Sequence, residues 1–279
     1  MPIATIFEYD FMRAAFAAGS VVAVVAGIVG FFVVLRNLTF AGHALSHVGF
    51  AGATGAILVG INPLWGLLAF TVTSAVAMGL LGERLRGRDV AVGIILALAI
   101  GFGVLFLQLY TTHATQATAI LFGNVLGVSF DTLWSLAGMA VAVLAALAVI
   151  SRPLIFSTLG PELAEAKGVS LRKISVLFLV IVAVAVAETV QVVGVLLVFA
   201  LLVGPGAASL RLTTRLGWGV ALAAVLALLE TWLSIAMAYV TDWPTSFWIV
   251  LLSCLVYFLS LTGRPRVRWA MSHQHALRD

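Results

Sequence analysis

Two histidines, His43 and His47, stand four residues apart in the apolar stretch FAGHALSHVGFAGATGAILVG, Phe40 to Gly60. At that spacing two side chains share one face of a helix. Neutral imidazole is the commonest metal ligand in proteins, and an i, i+4 pair can hold one ion from a single helical face. Ionisable groups at membrane depth are costly and mark pathways or binding sites. Two readings of the pair are open: a cation site, or two side chains that each donate to a carbonyl on a neighbouring helix. Behind the pair run Gly49, Ala51, Gly52, Ala53 and Gly55, small residues that let another backbone come close.

Glu188 and Glu230 also lie in apolar runs, and Asp242 falls at an outer helix end. A carboxyl in lipid needs a proton or a cation to cover its charge. Glu188, with Gln191 three residues on, is the third metal candidate, while Glu230 reads as structural. Leu202 to Ser209, LVGPGAAS, sets a proline between two glycines and predicts a helix break, either beside a pathway or as a packing kink. His273 and His275 in the tail are loose metal candidates in a segment of inert type. There is no G-x-x-x-x-G-K-[ST], no H-E-x-x-H and no Ser/His/Asp set. The chain therefore reads as no enzyme and as carrying no cofactor. Any uphill movement draws on a partner or an ion gradient.

The elements that must position these residues are membrane helices. The 279 residues are 63% hydrophobic and 9% charged, against about 25% charged in a soluble domain. The mean hydropathy is +1.18. One membrane domain, 1–279, is expected. The net charge of +4 sits in short basic clusters between apolar runs, where orientation signals belong, so it does not point to nucleic acid. The single cysteine, Cys254, excludes an intrachain disulfide and a cysteine-based zinc site. MPIATIFEYDF has no basic residue ahead of the first apolar run and does not read as a secretory signal.

A span needs about 20 apolar residues. The runs fall at Phe11 to Leu35, the histidine stretch to Gly60, Leu64 to Leu81, Val90 to Leu109, Thr132 to Ile150, two within Ile174 to Leu210, Trp218 to Val240 and Phe247 to Leu261. Ala119 to Gly127 is apolar but too short to span, which suits a re-entrant or interfacial piece. An all-α polytopic fold of about nine spans is predicted, eight if the short second run does not cross. With the ERLRGRD cluster inside, nine crossings place Arg36, Arg152, Lys167, Arg172, Lys173, Arg211, Arg215 and the tail arginines inside too, and only Arg13 outside. That sets the N-terminus outside and the C-terminus in the cytoplasm. His43 then lies near the cytoplasmic end of its run. Either the Arg36 to Ala41 link dips into the membrane or the site lies low.

Residues 152–173 form the longest polar loop and 263–279 a basic cytoplasmic tail. Inside the loop, Pro161 suits a first helical position, Glu162 and Glu165 the early turns, and Gly168 the stop. A helix of about two turns on the cytoplasmic surface is predicted, either a docking element or a solvated connector.

Five segments in order resemble the permease subunit of the bacterial zinc/manganese ABC importer family: GHALSHVGFAGATGA, RDVAVGIILALAIGFGVLFL, ILFGNVLGVSFDTL, PELAEAKGVSLRK with VQVVGVLLVFALLVGPGAAS, and YVTDWPTSFWIVLLSCLVYFLS. The resemblance covers roughly Phe11 to Leu261. It implies a homodimer in the bacterial cell (inner) membrane, two separate ATP-binding cassette ATPase subunits and an extracytoplasmic metal-binding protein. It places Pro161, Glu162, Leu163, Ala164, Glu165 and Gly168 in an ATPase cleft. The family's metal positions on the second helix fall on His43 and His47, and the first of these is usually Asp. Two imidazoles favour zinc over manganese, which prefers carboxylates. The alternatives are a secondary carrier coupled to protons through Glu188 or Glu230, a membrane scaffold with the histidines as helix glue, and an intramembrane metalloenzyme. Tyr110 to Thr118 and Tyr239 to Ser246 are the outer segments a binding protein would meet.

Overall fold

A chain this apolar must satisfy its backbone N–H and C=O groups internally when it enters lipid, and helices do so within each segment. The computed structural model describes residues 8–81, 88–109, 120–123 and 125–262. The ERLRGRD cluster up to Gly87, most of the segment 110–124 and the tail 263–279, with His273 and His275, lie outside the described residues. Ten α-helices are described, with one 3-10 turn; no strand occurs among the described residues. They are α1 Asp10–Leu35, α2 Thr39–Leu58, α3 Pro63–Leu81, α4 Arg88–Leu109, α5 Phe130–Leu159, α6 Pro161–Ala166, α7 Leu171–Val193, α8 Val198–Leu212, α9 Leu216–Thr241 and α10 Thr245–Thr262.

Nine of these, all but α6, coincide with the nine apolar runs. Seven are long and apolar enough to cross a membrane: α1, α3, α4, α5, α7, α9 and α10. The histidines and glycines of α2 lower its hydropathy, and α8 has only 15 residues. The structure thus gives seven candidate spans by length and composition where the apolar runs predict nine.

α1 and α7 are the central posts. Within their apolar windows 67% and 72% of residues are buried, against 22% for α4 and 17% for α10. α2 packs on α3 and α4; α8 and α9 pack on α1; α10 lies on α8 and α9; α7 touches α3 and α5. The small-residue stripe of α2 makes the close approach its composition implies. Gly52 and Gly66 face each other so tightly that a Cβ on either would strike the other's carbonyl.

Two boundaries differ from the sequence reading. The fifth run does not end at Ile150; α5 continues through Pro153 to Leu159. Nor does Pro205 break its helix, since α8 runs through it to Leu212. A proline inside a helix removes one hydrogen bond and favours a kink, but neighbouring helices can hold the segment. The break between the two runs within Ile174 to Leu210 lies between Val193 and Val198, where Gly194 takes φ +89. Residues 120–123 fold onto it. Val195 N–H donates to the Ile120 carbonyl at 3.1 Å and Leu196 N–H to Leu121 at 3.3 Å. Gly123, at φ +75, packs directly against Val193 and Gly194. The short apolar piece is therefore seated on an interrupted helix pair.

Candidate metal site

α1 closes with Arg36 N–H on Phe32 and Leu38 N–H on Val33, and Asn37 adopts φ +55. That turn is tight and Leu38 is buried, so α2 starts in a fixed direction. His43 lies one turn into α2, with His47 a turn beyond. Their rings converge at 4.7 Å between centroids, 79° apart in plane. His43 also stands edge-on to Phe199 of α8 at 5.1 Å. Both imidazoles are half-buried. Nδ1 of His43 is buried without a hydrogen-bond partner.

The pair sits well inside the bundle. Phe199 lies in the first turn of α8, roughly 20 Å along the axis from Leu212 at 1.5 Å per residue. Arg36, just before α2, lies over the ring of Phe178 at 5.7 Å. Phe178 is about 10 Å into α7 from its Leu171 end.

Glu188 is fully buried on α7, and both its carboxyl oxygens lack a hydrogen-bond partner, as does Nε2 of Gln191. It does not join the histidines. Among the described residues no three His, Cys, Asp or Glu side chains gather closely enough to hold an ion. The histidines thus offer two donors. A closed structural zinc site uses four. A pathway needs binding weak enough to release the ion, and a two-donor site suits passage better than storage. Glu230 is buried beside Ser253 of α10, whose hydroxyl donates to the Ala200 carbonyl at 2.8 Å. It is remote in chain and element from α2.

The predicted helix of the polar loop is α6. Pro161 is its first residue, Ala164 N–H donates to Gly160 at 2.9 Å, and Gly168 at φ +81 ends the segment. Ala164 is buried as an anchor while Pro161, Glu162, Leu163, Glu165 and Gly168 are exposed, Leu163 at 56%. An open depression of about 630 Å³ adjoins it, lined by Glu165, Gly168, Ser170 and Arg172 among others. At the α9–α10 turn, Asp242 is left-handed, Trp243 and Trp248 stack at 5.8 Å, and Trp248 Nε1 donates to Thr241. The segment Tyr110 to Thr118 lies outside the described residues.

Sequence reasoning missed Phe199, which carries no polar signal, and treated Arg36 only as an orientation charge. An arginine at the edge of an apolar run was the available hint.

Comparison with known proteins adds the following. The model of the ABC 3 transport family matches residues 8–264. The manganese transport system membrane protein MntC of Halalkalibacterium halodurans is 29% identical over 94% of this chain and 90% of its own length. The manganese import system permease protein ScaB of Streptococcus parasanguinis is 27% identical over 97% and 95%. In fold, the chain is similar to one in the structure of PsaBC from Streptococcus pneumoniae in complex with Fab, with TM-score 0.83, 23% identity, and 99% and 98% of the two chains covered.

Proposed function

Because the chain belongs to the ABC 3 transport family, and so is the permease of a metal ABC importer in the bacterial cell (inner) membrane, we propose that it passes a divalent transition-metal ion across the membrane by way of His43 and His47. The observation that carries this reading is the convergence of the two imidazoles at 4.7 Å inside the helix bundle. Zinc is the cargo that two nitrogen donors suit best. Manganese is the second reading, favoured by the names of the relatives. Glu188, buried and without a hydrogen-bond partner, is a further contact along the route and not a third ligand of the same ion.

The chain has no P-loop of its own, so energy enters from an ATP-binding cassette ATPase. α6 is the docking element: a short exposed knob with one buried anchor beside an open depression. An extracytoplasmic metal-binding protein delivers the ion, and a second copy of the chain completes the membrane unit. Nine crossings with the N-terminus outside agree with the placement of the basic residues.

The test is uptake of radioactive zinc, with manganese beside it. Cells express the permease with its ATPase and binding protein, at matched membrane abundance. The His43→Ala/His47→Ala variant is expected to lose most uptake of the cargo, on the order of 10- to 100-fold, since even groups that only support a metal ligand cost that much. Equal uptake in both proteins would remove the histidine site. Uptake of neither metal in the wild type would point to another cargo ion.

A further inference from the structure

We propose that Arg36 is the positioning residue that ties the docking helix α6 to the histidine-bearing turn of α2. This rests on the reading of α6 as the ATPase docking element.

Arg36 closes the junction between α1 and α2. Its Nη1 shares two hydrogens among three acceptors at the far end of α5: the Leu154 carbonyl at 3.2 Å, Ser157 Oγ at 3.1 Å and Thr158 Oγ1 at 2.8 Å. The two hydroxyls donate their own protons to the same Leu154 carbonyl, at 2.9 and 2.6 Å, which leaves their lone pairs to receive the guanidinium. The guanidinium carbon lies over the ring of Phe178 of α7 at 5.7 Å. One side chain thus grips both helices that flank α6.

On its backbone side the same residue belongs to the tight turn that launches α2, with Leu38 buried and His43 one turn on. A shift of the α5–α6–α7 corner is therefore delivered to the first turn of α2 through Arg36. Arginine places one terminal nitrogen among the three oxygens while the guanidinium carbon lies over the Phe178 ring; a lysine ammonium also has three donors, but as a compact, strongly hydrated point charge it fills both contacts less well. A half-buried charge is costly to hold, so a simple packing contact here is better made by an apolar side chain.

The experiment reconstitutes the permease with its ATPase and binding protein in proteoliposomes. Flux of zinc or manganese and ATP hydrolysis are measured on the same vesicles for wild type, Arg36→Lys, Arg36→Gln and Ser157→Ala/Thr158→Val. The ratio of metal moved to ATP hydrolysed is expected to fall about tenfold in Arg36→Gln, in the range of ordinary coupling between sites. It falls less in Arg36→Lys and in the double variant. Adding Arg36→Gln to the double variant lowers it no further than Arg36→Gln alone, because the groups act as one unit. A wild-type ratio in Ser157→Ala/Thr158→Val overturns the proposal, and that variant decides if Arg36→Gln fails to assemble. So does a parallel fall in flux and hydrolysis that leaves the ratio unchanged, which is the signature of a structural staple. Co-purification of the ATPase separates the two layers. Lost coupling with intact docking supports the role of Arg36. Docking that survives disruption of α6 removes the docking reading and this proposal with it.

Discussion

His43 and His47 face one another because i and i+4 side chains on a helix must, and because Phe199 closes one side of the pair. Two nitrogen donors hold zinc well and manganese less well; a carboxylate oxygen reverses that preference. Replacing His43 with Asp is therefore expected to move the zinc-to-manganese uptake ratio toward manganese. The shift is roughly tenfold, about what exchanging one favourable ligand contact of 1.4 kcal/mol produces. Competition of each radioactive metal by the other in intact cells measures it. An unchanged ratio with undiminished uptake would mean that position 43 does not contact the ion. The face shared by the histidines was readable in the sequence, since it needs only the helical period. Their neighbour Phe199 was not. It is one of 17 phenylalanines, and in a chain apolar on every side nothing local marks which ring meets the site. The hydrogen-bond partners of Arg36 on α5 lie 118 to 122 residues away in the chain, beyond the reach of any local pattern.

At the level of elements, α6 is a helix whose two ends the sequence marks with specific residues. Pro161 opens it and Gly168, at φ +81, ends the segment. Those signals are local chemistry: a ring that fixes φ at the first position and a residue free of Cβ where the chain turns left-handed. The extension of α5 through Pro153 and the continuity of α8 at Pro205 were missed because a proline inside a membrane helix is tolerated when neighbouring helices support it. That support is tertiary and invisible in the string. α6 also carries a prediction of its own. Leu163 is a large apolar side chain exposed beside Glu162, Glu165 and Lys167. Leu163→Glu leaves the fold undisturbed, since the side chain buries little in the isolated subunit. It is expected to weaken ATPase association about tenfold, a loss of roughly 1.4 kcal/mol. Pull-down of the ATPase with the permease in detergent reads this directly, with thermal unfolding of the permease alone as the control. Full retention of the ATPase would show that the knob does not dock it.

For the whole molecule the open quantity is the number of crossings. Seven helices satisfy length and hydropathy, yet α2 and α8 lie among them and not beside them: α2 packs on α3 and α4, α8 on α1 and α10. Helices embedded in a bundle need less apolar surface than helices bathed in lipid, so both can cross while failing a composition test. Nine crossings give odd parity and put the two ends of the described chain on opposite sides. Eight give even parity and put them on the same side. The single cysteine makes this testable, because Cys254→Ser yields a chain without thiols. Single cysteines are then placed at Glu8, Lys167 and Trp243, all exposed, and treated with a membrane-impermeant maleimide. With nine crossings, Glu8→Cys and Trp243→Cys label on intact spheroplasts, and Lys167→Cys labels only after permeabilisation. Protection of Glu8→Cys alone, with Trp243→Cys still labelled, means that one helix fails to cross, and α2 with its two imidazoles is the first to suspect. Arg36 would then stand on the opposite side from Lys167, and the grip between the α1–α2 turn and the end of α5 at Ser157 and Thr158 would join segments from opposite faces. The hydrogen bonds at 3.1 and 2.8 Å make those segments neighbours, so the labelling of Glu8→Cys tests the proposed nine crossings against a contact already in place.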